Sequence, residues 1–321
     1  MRLKLVPTKT NVDFFKLNKV TFGASMLAMI ASIVIFFVIG LNYGIDFRGG
    51  TTIRTDSQVA VDIAGYRGAL EALELGDISI TQVSDPTKPD KNVTQIRIQA
   101  QEGDEAISND RILAVKAALN VIDATMTFPQ VESVGPKVSG ELIQTAVIAV
   151  VLAITAVLFY IWLRFEWQFS VGAVAALVHD IVLTIGVFSL LQIKFDLAII
   201  AALLTIVGYS LNDTVVVFDR VRENLRKYKK KNLKAVLNLS INETLSRTVM
   251  TSVTTLIALI SLFVLGGDVI RGFVFAMIWG VIVGTYSSVF IASAILLRLD
   301  VKRDWSKQNA NASGQYANID A

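Results

Sequence analysis

Asp213 is the residue of this sequence with the most chemical leverage. It stands in the run Gly208-Tyr209-Ser210-Leu211-Asn212-Asp213-Thr214, within a stretch otherwise apolar enough for hydrocarbon. A charged side chain at mid-bilayer costs on the order of 3 kcal/mol on insertion scales, and those that persist face a bundle interior or a water path. Tyr209 lies one helical turn away, and the adjacent polar side chains are able to hydrogen-bond a carboxyl group. Further on, Thr244, Arg247, Thr248, Thr251 and Thr255 recur at helical spacing and make one polar stripe. Two chemistries fit this set. A static ion pair between Asp213 and Arg247 would lock two helices together, whereas a carboxyl on a path through Asn212 and Thr251 would load and release a proton. A proton crossing about 150 mV releases roughly 3 to 4 kcal/mol, from about 2.3 per 100 mV, which is enough to bias a two-state motion. Sodium stays open on the same residues, because Asp, Asn and Thr oxygens ligate either cation. His179-Asp180 is a second candidate, either a proton relay or a self-contained hydrogen bond that packs its own helix.

Other chemistry is excluded by what the chain lacks. It has no cysteine and one histidine, which leaves no thiolate or multi-histidine metal site. No G-x-x-x-x-G-K-[ST] run is present, so nucleotide hydrolysis is not expected. The sequence is therefore read as a non-enzyme without metal or cofactor. The basic run Lys227, Lys229, Lys230 and Lys231 is read as a topology determinant beside anionic lipid headgroups, not as a nucleic-acid site.

The elements that must position Asp213 are membrane helices. The 321 residues are 53% hydrophobic and 18% charged with a mean hydropathy of +0.57, against about 25% charged in soluble proteins. Uncharged stretches at 20–41, 142–163, 248–265 and 272–297 each suffice to span a bilayer. Two more, 167–193 and 197–218, qualify once His179, Asp180 and Asp213 are tolerated, which gives six transmembrane helices. The first follows a basic start yet is longer than the roughly 7 to 15 apolar residues of a signal peptide, so it reads as a retained anchor. Lys and Arg collect before the first helix, at 220–247 and after the sixth, which puts both termini and a basic loop at about 220–247 in the cytoplasm. Residues 1–19 form the cytoplasmic N-terminus, and 299–321 read as a disordered tail.

Residues 42–140 then lie outside, and their 14 acids against 9 bases carry net charge −5, opposite to the chain's +3. Here the pattern changes period. Strands at 51–55, 78–83, 93–100 and 126–134, with helices at 59–75 and 106–122, give the order βαββαβ of a ferredoxin-like α+β domain. Gly49-Gly50 and Gly135 punctuate its two connections to the membrane, as tight joints or as hinges. Gly280, Gly284, Ser287 and Ser288 form a small-residue seam on the last helix.

These motifs coincide with a known family. Asp46-Phe47-Arg48-Gly49-Gly50-Thr51, Val134-Gly135-Pro136, Arg164-Phe165-Glu166-Trp167, His179-Asp180, the run Gly208 to Asn224 and Arg247-Thr248 with Thr251-Ser252 together resemble the SecF family of the bacterial SecDF protein-export complex, in the RND superfamily. Arg48 and Phe218 depart from the small polar residue more usual there. The resemblance implies an obligate heterodimer with SecD, whose six helices complete a pseudosymmetric bundle, and association with the SecYEG channel, YajC, membrane lipids and polypeptides driven by SecA. It also implies a multi-pass protein of the bacterial inner membrane, with 42–140 periplasmic, that uses the proton motive force in late steps of export. The proton-path acid and its arginine map onto Asp213 and Arg247. The alternative is half of an RND-type small-molecule or lipid exporter, against which the single small outer domain argues.

Overall fold

A computed structural model describes residues 10–76, 78–83, 88–99 and 107–301. The chain begins its membrane part with α1 (Asn18–Ile39), then a short turn of helix α2 (Ile45–Arg48) leads into the outer domain. That domain runs β1 (Gly50–Ser57), α3 (Ile63–Glu71), β2 (Ile78–Val83), β3 (Asn92–Ile98), α4 (Asn109–Ile122) and β4 (Thr127–Val134). Five long helical elements follow: α5 (Pro136–Arg164), α6 (Trp167–Leu191), α7 (Leu197–Lys227), α8 (Leu233–Leu265) and a last one built from α9 (Asp268–Ser287), a π turn (Ser288–Ala292) and α10 (Ser293–Arg298). Six helices among the described residues are long and apolar enough to cross a membrane. The expected tail beyond residue 301 lies outside the described residues.

The outer domain is a four-stranded antiparallel sheet in the order β2-β3-β1-β4 with its two helices on one face, the ferredoxin-like arrangement. Its core follows from strand alternation. Ile53, Ile96 and Ile98 point to the helices and meet Tyr66, Leu70, Val115 and Leu119, all essentially without exposure. The opposite face is polar and turned to the membrane half, leaving a cleft of about 740 Å³ lined by Arg54, Gln95 and Glu132 above and Lys194, Asp196 and Arg271 below.

In the membrane half, the charged stretch expected as a loop at about 220–247 is helical except at 228–232. The cause is local. α7 continues as an amphipathic helix that buries Val221 and Leu225, and α8 begins at Leu233 behind the cap Asn232, whose Oδ1 accepts from Ala235 N–H at 2.7 Å. Phe218, the departure noted in the sequence, is fully buried edge-on to Phe165 and Phe169. Apolar clusters fill both ends of the bundle: Phe188, Ile199, Leu203, Ile206 and Met277 at one, and Phe169, Phe218, Val221, Leu237 and Leu296 at the other. Between them, along α6, α7 and α9, lie the polar residues.

Asp123 closes the end of the outer domain. Ser57 Oγ donates to its Oδ2, and Thr125 donates to its Oδ1 through both N–H (2.8 Å) and Oγ1 (2.6 Å). These donors, Ser57 first, hold the carboxyl below its ordinary 3.8. A depressed carboxyl contributes stability above its ordinary value and loses it as pH falls through the depressed one. Asp123→Ala is expected to speed amide exchange at the end of β1 and the start of β4 at neutral pH. That difference from the wild type should disappear as pH is lowered below 3.8, and a difference that persists unchanged in acid would refute the assignment.

Candidate functional site

The position of Asp213 depends on how closely α9 approaches α7. A Cβ on Gly280 would come within 2.3 Å of Ile206 Cγ1 and force that side chain to move, and one on Gly284 would come within 3.1 Å of Ser210 Cβ, a tight approach, so the two glycines let the helices pack closely here. The small-residue seam expected on the last helix is thus an actual helix contact. One turn beyond Gly284 it delivers two consecutive serines to two different carboxylates. Ser287 Oγ donates to Asp180 Oδ2 at 2.8 Å, and Ser288 Oγ donates to Asp213 Oδ2 at 2.5 Å. The helix changes to a π turn at Ser288, a widening often found where a helix serves a functional site.

Asp213, half-buried, receives its second hydrogen bond from α8, where Thr248 Oγ1 donates to Oδ1 at 2.5 Å. Each carboxylate oxygen therefore holds one hydroxyl, from two helices other than its own. Thr248 and Ser288 are themselves buried, so the two bonds replace water around the carboxylate. Hydrogen bonds to an ionised acceptor are about twice as strong as neutral ones.

Arg247 precedes Thr248 on α8 but its side chain is exposed, within electrostatic range of Asp213 and without a salt bridge to it among the described residues. The two residues expected as a possible ion pair are thus neighbours, and the direct contact belongs to Thr248. Asn212 points away to the exposed face of α7. Thr251, also exposed, returns its hydroxyl to the Arg247 carbonyl at 3.0 Å, and Thr255 returns its own to Thr251 at 2.9 Å. Such back-bonding satisfies a hydroxyl inside its own helix. The result is a polar surface of Asn212, Arg247 and Thr251 on the outside of this chain at membrane depth.

His179 and Asp180 form a second, enclosed cluster. His179 Nδ1 lies 3.0 Å from Asp180 Oδ1, while Asp180 Oδ2 accepts from Ser210 Oγ at 2.6 Å as well as from Ser287. Both residues have zero exposure. The His179 ring stacks on Tyr286 at 6.1 Å, and Tyr286 Oη reaches α1 by donating to the Thr21 carbonyl at 3.0 Å. His179 Nε2 has no hydrogen-bond partner among the described residues. Asp180 is thus bonded across helices to α7 and α9, not confined to its own helix. Sequence reasoning found both carboxyls and missed Ser210, Ser287 and Ser288 as their donors, although the seam containing the latter two was visible.

Among the hinge candidates, Gly49 and Gly50 have φ of +72° and +118°, conformations that L side chains rarely adopt, whereas Gly135 has an ordinary φ of −72° and caps α5. No group of three or more His, Cys, Asp or Glu suited to a metal is present among the described residues.

The family described as "Protein export membrane protein SecD/SecF, C-terminal" matches residues 114–302, and the "SecD/SecF GG Motif" matches 34–61. The chain is 61% identical to the protein translocase subunit SecF of Cereibacter sphaeroides, over all of this chain and 99% of that one. It is 42% identical to the protein translocase subunit SecDF of Brucella abortus, covering 94% of this chain and 39% of the relative. The crystal structure of SecDF from Thermus thermophilus, described as a translocon-associated membrane protein, superposes with a TM-score of 0.82 at 35% identity, covering 94% of this chain and 40% of that one. This chain therefore spans about two fifths of the SecDF proteins it matches.

The two carboxyls are expected to respond differently to replacement. Asp180→Leu deprives Ser210 of its only cross-helix acceptor among the described residues, and a buried hydroxyl left without a partner costs about 1–3 kcal/mol. Ser287 retains the Gly284 carbonyl at 3.2 Å. Thermal or denaturant unfolding in detergent should show that loss for Asp180→Leu and little change for Asp213→Asn, which keeps an acceptor for Thr248 or Ser288. Equal stability of the two variants would contradict the structural role given to Asp180.

Proposed function

This chain belongs to the SecD/SecF family of protein-export membrane proteins, and from that premise we propose that Asp213 is the carboxyl through which it draws on the proton motive force. The observation that carries the reading is the pair of buried hydroxyls from α8 and α9 on a carboxylate of α7. With Asp213 ionised, both donate to it and draw three helices together. With Asp213 protonated, one of its oxygens becomes a donor, and the charge that favoured two short hydrogen bonds is gone. The packing of α7 against α8 and α9 is then free to change. Arg247, close but not bonded, senses the same charge and adds an electrostatic bias through the membrane interior. The roughly 3 to 4 kcal/mol released per proton at about 150 mV is of the size needed to shift such an equilibrium between two packings.

The proposal extends to the partners. The exposed Asn212 and Arg247 at membrane depth, beside Thr251, require a polar cover, since unpaired polar groups are costly in lipid. Helices of SecD are the occupants that support the proton reading, because they would close the path to Asp213 from the side this chain leaves open. The surplus of Lys and Arg at 220–247 supports cytoplasmic termini and a periplasmic outer domain in the inner membrane. In that orientation the outer domain is placed to act on polypeptide leaving the SecYEG channel after SecA has driven it through, with YajC as a further associate. His179 and Asp180, enclosed and hydrogen-bonded on all sides but one, serve as a fixed polar joint and as a reserve relay at Nε2.

In membrane vesicles containing the chain with SecD, Asp213→Asn should leave expression and SecD association at wild-type levels while removing gradient-stimulated export. Imposing the proton and sodium gradients separately identifies the driving ion, with the proton gradient expected to suffice. Gradient-dependent export that survives in Asp213→Asn would refute the role.

A further inference from the structure

The outer end of α7 is joined to the segment that enters the outer domain. Leu197 N–H, at the first residue of α7, is one of the helix-end donors without an intrahelical partner. It donates to Asp46 Oδ2 at 3.0 Å, across 151 positions of sequence. The backbone around this bond is interlocked. Phe195 N–H donates to the Asn42 carbonyl and Gly44 N–H to the Phe195 carbonyl, both at 2.8 Å, and Tyr43 and Phe195 form a parallel bridge. Asn42 Nδ2 adds a bond of 2.9 Å to the Gln192 carbonyl. Phe47 packs against Phe195 with ring centres 5.9 Å apart, and Phe195 packs edge-on to Phe188. A Cβ on Gly44 would lie 3.1 Å from both Asp196 Cβ and Lys194 Cε, so the two segments are in tight contact there.

Immediately after this interlocked stretch come Gly49 and Gly50, both at positive φ. The change from fixed to permissive backbone falls within three residues of Asp46. Near its middle, α7 carries Asp213, sixteen residues beyond Leu197 and about 24 Å along an unbroken helix at roughly 1.5 Å per residue. The carboxylate of Asp46 also sits at the positive end of the α7 dipole, which strengthens its hold.

We propose that Asp46 is a positioning residue that fastens residues 42–48 to the outer end of α7, so that a displacement of α7 set off at Asp213 is delivered to the outer domain at Gly49-Gly50. The inference rests on the proton reading of Asp213 and adds the mechanical route. On this account the latch stays closed throughout the cycle. The outer domain turns about the two glycines, not about the connection as a whole, and Arg97 of β3, which donates to the Tyr43 carbonyl at 3.4 Å, is the contact that slides.

The test measures proton uptake and gradient-driven export side by side in vesicles holding the full chain with SecD. In the wild type both should depend on Asp213. If Asp213→Asn alters neither, the underlying proton reading fails, independently of the latch. Where that reading holds, Asp46→Ala should retain proton uptake and SecD association and lose export, a separation that a merely structural defect would not produce. Asp46→Asn, which keeps a side-chain acceptor for Leu197 N–H, should retain both. Because the chain has no cysteine, Asn42→Cys with Gln192→Cys can be joined by a short bis-methanethiosulfonate linker, each cysteine thiolate displacing a sulfinate, to hold the latch without Asp46. That cross-link should restore export to Asp46→Ala and be tolerated in the wild-type background. Wild-type export from Asp46→Ala, loss of proton uptake together with export, or abolition of export by the cross-link in the wild-type background would each overturn the proposal. The last outcome remains decisive even if Asp46→Ala fails to assemble.

Discussion

A carboxylate half-buried among apolar helices must be solvated in part by the protein itself, and Asp213 receives a hydroxyl from each of two neighbouring helices. Much of the membrane half follows from bringing those hydroxyls into reach. Ser288 arrives because Gly280 and Gly284 let α9 press against α7. Thr248 arrives because α8 packs along the other flank of α7. The apolar clusters at the two ends of the bundle hold these three helices at fixed separations. The carboxyl therefore sits where three helices meet, and on the proposed function a local change in its hydrogen bonding is what alters their packing.

Asp180 shows the contrasting use of the same residue type. It is fully enclosed, accepts from two serines on two helices and leans on a histidine. Ser287 and Ser288 are adjacent, so the fixed cluster and the half-exposed Asp213 share one stretch of helix at the start of the π turn. One carboxylate anchors that stretch while the other is exposed to change. The latch at Asp46 repeats the principle outside the membrane, where a side-chain acceptor from one segment completes the open end of a helix far away in sequence.

Much of this was legible from residue order. Six spans and the βαββαβ domain followed from hydropathy and period, the cost of charge in lipid singled out Asp213 as the residue to explain, and the glycine seam announced a close helix contact. The contacts across helices were not legible. Nothing local to Ser288 or Ser210 distinguishes a serine aimed at a carboxylate from one bonded to its own helix, as Thr254 and Thr255 are. Arg247 attracted attention through its charge, yet the neighbouring Thr248 makes the bond, because one position along a helix turns a side chain by about 100°. Asp46 looked like part of a glycine-rich joint, and its partner lies 151 positions away. Helices α7 and α8 extend past the membrane because amphipathic burial and capping continue after the apolar run ends, which a search for uncharged stretches does not register.

The central claim is that the Asp213 carboxyl changes its protonation under the conditions that drive export. Infrared difference spectroscopy of the chain with SecD in membranes, taken across a pH step and compared between the wild type and Asp213→Asn, reads that event at the bond where it occurs. The account predicts a protonated-carboxyl band that appears on acidification in the wild type and is missing in Asp213→Asn. Identical difference spectra for the two proteins would contradict it.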